Sequence, residues 1–147
     1  MLPPKPIPTV SIPSHLAYVN CLRAFVIGVC KTYGLDDCST EGIALAVHEA
    51  VTNIIRHSHQ HDVGKLIQLT CEALPDRVEI HILDEGDPFD VTQVPELDPG
   101  EIRVGGRGVF LMRALLDQIS CAARAGGGNH LRLVKFCTPR CPPSERS

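Results

Sequence analysis

Several features that would assign this chain of 147 residues to a particular class of protein are missing. No apolar run approaches the roughly 20 residues that a membrane-spanning helix requires, and the opening MLPPKPIPTV lacks the apolar segment and cleavage site of a signal peptide. Lysine and arginine do not cluster among aromatic residues, and the net charge is −3, so the basic surface of a nucleic-acid-binding protein is also missing. We therefore expect a cytoplasmic protein that binds neither membranes nor nucleic acid.

The seven cysteines form no CxxC pair, and their odd number favours free thiols in a reducing compartment. Hydrophobic residues make up 44% of the chain, which is enough for the core of one domain, and no internal repeat is present. We expect a complete small protein with a single domain over residues 1–147. Its core would span about residues 9–136, and the proline-rich residues 137–147 would form a disordered tail.

Helical spacing of apolar residues predicts a first helix that begins after Ser14, a plausible N-cap, and ends at Gly34. A second helix follows three capping candidates, Asp36, Asp37 and Ser39. Its buried stripe would consist of Ile43, Val47, Ala50, Val51 and Ile54.

Alternating apolar residues predict five strands, at residues 9–12, 65–74, 77–83, 119–125 and 130–136. A third helix is predicted over residues 109–118, after a long loop rich in glycine, proline and aspartate. Strands in runs, without regular βαβ alternation, favour an α+β fold. We expect a two-layer sandwich in which three helices cover one face of a mostly antiparallel sheet.

Three short stretches carry polar groups suited to chemistry. In HEAVTNIIRH, residues 48–57, Glu49, Asn53 and His57 follow one another at i, i+4 steps and would form a polar column on one helix face. An amide oxygen is a suitable ligand for Mg²⁺, and a nearby glutamate can act as a general base. A solvated helix face is the alternative interpretation.

The second stretch is ILDEGDPFD, residues 82–90, at the end of a predicted strand. Asp84 could accept a hydrogen bond from an exocyclic amine such as that of adenine, and Gly86 would let a flat ligand approach the backbone. The alternative is an ordinary turn. The third stretch, residues 104–118, has glycines that could hold phosphates at a helix N-terminus or form a plain helix-entry loop. These are Gly105, Gly106 and Gly108.

Taken together, E-x-x-x-N-x-x-x-H, D-x-G-x-P-F-D and G-G-x-G before a helix resemble the three nucleotide-binding boxes of the Bergerat-fold (GHKL) ATPases. The likeness extends from about residue 9 to residue 136 and is greatest to the bacterial anti-sigma-factor serine kinases. The resemblance implies a Bergerat-type sandwich that uses ATP and Mg²⁺. Glu49 would be the catalytic base, Asn53 the Mg²⁺ ligand, and Asp84 with Gly86 the adenine-binding pair. The triphosphate would lie against Gly105, Gly106 and Gly108, with residues 87–104 as the lid.

Two positions depart from the family pattern, and two residues, Arg107 and His57, each have two alternative roles. Pro88 stands where many members have a second glycine, and Arg107 stands where the residue is usually apolar. Arg107 would either contact the phosphates or face solvent. His57 matches a common residue of its box and would either assist nucleotide binding or anchor the end of the helix.

The resemblance implies a protein that sequesters a sigma factor and phosphorylates a serine or threonine of an anti-sigma-factor antagonist. Its partners would be these two proteins, and a homodimer would present the sigma-binding surface. The alternative function is a nucleotide-gated binding module without kinase activity, which regulates a phosphatase or a stress-signalling complex. A remaining hypothesis takes His57, His59 and His61 as a zinc site, which would need an extended segment.

Overall fold

The computed structural model describes residues 6–58, 62, 64–86 and 113–138. Two α-helices lie entirely within these ranges, α1 (Val19–Thr32) and α2 (Asp37–Asn53), with a 3₁₀ turn, Leu16–Tyr18, before the first and a π-helical turn, Ile54–Ser58, after the second. The strands are β1 (Thr9–Pro13), β2 (Leu66–Leu74), β3 (Arg77–Asp84), β4 (Gln118–Ala123) and β5 (Asn129–Phe136).

The five strands form one antiparallel sheet in the order β1-β2-β3-β5-β4. The β2–β3 hairpin turns at Pro75 and Asp76, and the β4–β5 hairpin turns at three glycines with positive φ, as the sequence predicted. The predicted α+β fold with a mostly antiparallel sheet is therefore confirmed. The pairing of β3 with β5 places the end of β3 beside the start of β5.

Alternate residues of the central strands face the helices and form the core. Ile67, Leu69, Ile80, Ile82 and Leu131 are all buried on that face. The stripe predicted for the second helix is buried against them, since Ile43, Val47, Ala50, Val51 and Ile54 are each at most 3% exposed. Burial of this single apolar layer is the main favourable contribution to the stability of the fold.

The start of the first helix differs from the prediction. Ser14 is not an N-cap; it is buried, and its backbone N–H donates to the Lys65 carbonyl as an extension of the β1–β2 pairing. The chain then forms the 3₁₀ turn, whose N-cap is His15, with Nδ1 accepting from Ala17 N–H at 2.9 Å. The periodicity could not locate this boundary because the short turn keeps nearly helical spacing.

The other helix boundaries follow from local chemistry. Gly34, at φ 73°, ends α1, and the N–H groups of Gly34 and Leu35 donate to the carbonyls of Lys31 and Cys30. This is a Schellman motif, which glycine permits because it accepts positive φ. Asp36 caps α2, since its carboxylate accepts from Ser39 N–H at 2.8 Å.

The predicted third helix is only partly covered by the structure. Residues 113–115 are helical and Gln118 already belongs to β4, so the helix ends earlier than predicted. Residues 109–112, the predicted loop and lid over residues 87–104, and residues 139–147 of the predicted tail lie outside the described residues. None of the helices in the described segments is long and apolar enough to cross a membrane.

Candidate functional site

Helix α2 carries the first two candidate residues near its C-terminal end. Glu49 and Asn53 stand at positions i and i+4, so their side chains share one face of the helix. Glu49 is half-buried, whereas Asn53 is the last α-helical residue and is 1% exposed. In the described part of the chain, Asn53 Nδ2 has no hydrogen-bond partner. A buried amide nitrogen without an acceptor is uncommon in folded proteins, and a bound ligand that accepts a hydrogen bond is one way to satisfy it.

The helix does not continue as predicted to His57. The chain widens into the π-helical turn after Asn53, which is a feature common at functional sites. Ile54 and Ile55 are buried and anchor this turn in the core, while His57 is exposed. Of the three residues in the predicted polar column, Glu49 is half-buried, Asn53 is buried and His57 is exposed. The π-helical turn changes the α-helical spacing between Asn53 and His57.

Asp84 is the last residue of β3 and is 1% exposed. It continues the row of Val78, Ile80 and Ile82, so it lies on the face of the sheet that packs against the helices. Its Oδ1 accepts a hydrogen bond from Gly86 N–H at 2.9 Å, which folds residues 84–86 into a tight turn. Gly86 itself is buried.

The start of β5 supplies a second donor to the same carboxylate. Asn129 is the register partner of Asp84, is 5% exposed, and donates from Nδ2 to Asp84 Oδ1 at 3.1 Å. Two donors on one oxygen hold the carboxylate in a fixed orientation. The arrangement presents a buried acceptor at a strand end, which is suited to recognising the amine of a flat heterocycle.

The β4–β5 turn also contacts the backbone of Asp84. Arg124 Nη1 donates to the Asp84 carbonyl at 2.8 Å, and Gly128, at φ 98°, lies so close that a Cβ atom there would collide with the same carbonyl oxygen. Sequence reasoning missed Arg124 and Asn129. The glycine run 126–128 signalled the turn, but nothing in the sequence indicated that the turn lies against Asp84.

The structure therefore brings Asp84 and Gly86 together and places Glu49 and Asn53 on one helix face. The other predicted phosphate-binding residues, Gly105, Gly106, Arg107 and Gly108, lie outside the described residues. The same holds for His59 and His61 of the zinc hypothesis. Within residues 6–58, 62, 64–86 and 113–138, no group of three or more histidine, cysteine, aspartate or glutamate side chains is arranged to hold a metal ion.

Comparisons with known proteins agree with this geometry. The sequence profile of the histidine kinase-like ATPase domain matches residues 12–135. The serine-protein kinase RsbW of Bacillus subtilis is 28% identical over 123 residues, which cover 78% of this chain and 77% of the relative. The serine-protein kinase RsbW of Staphylococcus aureus is 32% identical over 125 residues, which cover 78% of each chain.

Solved structures show the same fold. The RsbU and RsbW domains of a Mycobacterium tuberculosis protein match with a TM-score of 0.61 at 19% identity, covering 93% of this chain and 34% of that longer one. The histidine kinase domain of a blue-light-activated kinase from Erythrobacter litoralis matches with a TM-score of 0.51 at 19% identity, covering 84% of this chain and 61% of the other. The chain therefore belongs to the histidine kinase-like ATPase family, in the group of the RsbW serine-protein kinases.

Proposed function

We propose that this protein binds ATP and transfers its γ-phosphate to a serine or threonine of a partner protein. The observation that carries the proposal is the buried Asp84 carboxylate, fixed at the end of β3 by Gly86 and Asn129. The relatives that are named serine-protein kinases support the reaction class.

Asp84 would recognise the adenine base. Its carboxylate would accept a hydrogen bond from the exocyclic amine, and Gly86 would leave room for the ring because it has no side chain. Since Asp84 is already held by two donors, the base would meet an acceptor that needs no reorganisation. A fixed acceptor of this kind would favour ligands that carry an amine over ligands that do not.

Asn53 would hold a magnesium ion with the nucleotide through its side-chain oxygen, because amide oxygens are ligands that Mg²⁺ accepts. Its buried Nδ2 has no hydrogen-bond acceptor among the described residues, and a phosphate oxygen of the nucleotide would supply one. When bound, the ion would neutralise charge on the triphosphate. Glu49, one turn earlier, would accept the proton of the attacking hydroxyl. Gly105, Gly106, Arg107 and Gly108 would border the triphosphate. His57, which is exposed, would assist nucleotide binding or anchor the end of the helix.

The family membership also supports a proposal about the protein partners. We place a sigma factor and an anti-sigma-factor antagonist as partners, with the antagonist as phosphate acceptor and a homodimer as the sigma-binding form. The reaction would take place in the cytoplasm, where transcription occurs and where free cysteines such as Cys30 and Cys71 stay reduced.

The test is phosphoryl transfer from γ-labelled ATP to purified candidate antagonist proteins. Glu49→Ala should bind ATP normally and lose transfer by about 10²–10⁴-fold, as expected for a general base. Glu41→Ala is the matched control, because Glu41 lies on the same helix, is exposed, and pairs with Arg23. Unchanged transfer by Glu49→Ala would refute the assigned base. ATP binding without transfer by the wild type would instead support the nucleotide-gated module.

A further inference from the structure

The turn between β4 and β5 holds Asp84 through both its side chain and its backbone. Asn129 Nδ2 contacts the carboxylate at 3.1 Å, and Arg124 Nη1 contacts the main-chain carbonyl at 2.8 Å. Both residues flank the glycines of one short turn. The orientation of the proposed adenine acceptor is therefore determined by a hairpin that is distant from it in sequence.

Arg124 reaches Asp84 across an intervening strand. The sheet order β3-β5-β4 separates the end of β4, which Arg124 directly follows, from the end of β3. The long arginine side chain crosses this gap and supplies a charged donor to a neutral carbonyl, which is a stronger hydrogen bond than one between neutral groups. Arg124 is half-buried, so water competes only partly for this contact.

The glycines of the turn make this contact possible. Gly127 N–H donates to the Arg124 carbonyl at 3.1 Å, and Arg124 N–H donates to the Gly128 carbonyl at 3.0 Å, so the turn closes on itself. Gly128 then lies directly against the Asp84 carbonyl, with no space for a side chain. The turn therefore packs directly against residues 84–86. A base bound to Asp84 would contact a backbone segment that this turn holds in place.

We propose that Arg124 is a positioning residue for nucleotide recognition, which acts by holding the Asp84 carbonyl while Asn129 holds the Asp84 carboxylate. The proposal rests on the proposed nucleotide site, and it adds a determinant outside the three sequence boxes. Arg124 itself need not touch the nucleotide. Without it, residues 84–86 would sample other conformations, and only the fraction in the correct one would bind the base.

The experiment compares the Kd for ATP and for GTP in wild type, Arg124→Met, Arg124→Lys and Arg132→Met, by calorimetry at a temperature where all are folded. Arg124→Met should raise the Kd for ATP about tenfold, comparable to losing most of one charge-assisted hydrogen bond. The ratio of the GTP and ATP Kd values should fall, because GTP does not use the amine contact. Arg124→Lys keeps a cationic donor, so its Kd for ATP should lie between those of the wild type and Arg124→Met.

Arg132→Met is the matched control, because Arg132 lies on the neighbouring strand β5 but donates to Glu79 and Gln118 instead. Its Kd for ATP should stay within about twofold of wild type. Asn129→Ala provides a second test if Arg124→Met does not fold, and it should also raise the Kd for ATP.

Two results would overturn the proposal, and they are distinguishable. If the wild type binds ATP and folded Arg124→Met or Asn129→Ala binds it equally well, with only a lower Tm, the turn stabilises the fold but has no role in nucleotide recognition. If the folded wild type does not bind ATP, the proposed nucleotide site is wrong, and the role of Arg124 in recognition fails with it.

Discussion

Arg132 Nε donates a 2.9 Å hydrogen bond to Glu79 Oε1, from β5 to β3, on the face of the sheet opposite the helices. Arg77 Nε donates to the second oxygen of Glu79 at 2.5 Å, and His81 Nε2 lies 3.1 Å from Oε1. His81 in turn contacts His130 at 2.7 Å. The Glu79 side chain is 9% exposed, so a nearly buried carboxylate is surrounded by cationic and imidazole groups.

This environment predicts an acid-dependent stability. The hydrogen bond from Arg132, followed by those from Arg77 and His81, lowers the pKa of Glu79 from 4.5 to about 2. Because the folded-state pKa is depressed, the stabilisation is fully present above pH 4.5 and is lost as the pH falls towards 2. We expect the free energy of unfolding, measured by urea titration, to decline through this window.

Substitution isolates the contribution of Glu79 to that decline. Glu79→Gln should lower the free energy of unfolding at pH 7 by about 2 kcal/mol, since Arg132 and Arg77 lose a charged acceptor. The variant should also show a smaller decline in the free energy of unfolding as the pH falls. Glu41→Gln is the control, because Glu41 is an exposed residue of α2 that pairs with Arg23, and it should leave the acid dependence in place. An unchanged pH profile in Glu79→Gln would contradict the assignment.

A second prediction concerns the buried thiols of Cys30 on α1 and Cys71 on β2. Both are at most 1% exposed, and a hydrogen bond between them, together with burial, raises the pKa of Cys71. We expect Cys71 to stay protonated and unreactive in the folded protein. In a short pulse of N-ethylmaleimide read by peptide mass spectrometry, both thiols should react more than about a hundredfold more slowly than exposed ones, because labelling requires the core to open.

Cys21 and Cys38 provide the internal reference for this experiment, since both are exposed. They should be labelled within the pulse in native protein, and all four should be labelled in urea. Rapid native labelling of Cys71 would mean that helix α1 detaches from the sheet far more often than its burial implies.

The strands and the buried stripe of α2 could be predicted from the sequence because they depend on local periodicity. Val78, Ile80 and Ile82 alternate with polar residues, and Asp84 ends the same row, so the candidate acceptor could be located at a strand end. The contact of Asp84 with Asn129 could not be predicted, because it requires the register of β3 against β5. No local pattern specifies which strands become neighbours. The contact of Arg124 with Asp84 depends on the same strand order and could not be predicted either.

A third prediction tests the close approach of the β4–β5 turn. Gly127 and Gly128 have φ of 108° and 98°, but only Gly128 lies against the Asp84 carbonyl. Gly127→Ala should cost about 1–2 kcal/mol for the strained backbone. Gly128→Ala should cost at least about 3 kcal/mol, since the collision adds to the same strain. Urea unfolding measures both, and equal costs would mean that the turn does not rest on Asp84.

The last prediction addresses the Asp84 carboxylate itself. Asp84→Asn keeps an oxygen that can accept from Gly86 and Asn129, so the protein should fold with nearly wild-type stability. The new amide group would face the adenine amine with a donor, and the Kd for ATP should rise about a hundredfold or more. Asp76→Asn is the matched control, because Asp76 lies at the other end of β3, is exposed and pairs with Arg77. Calorimetric titration of ATP with Mg²⁺ should give wild-type affinity for Asp76→Asn, whereas wild-type affinity in folded Asp84→Asn would show that the base is recognised elsewhere.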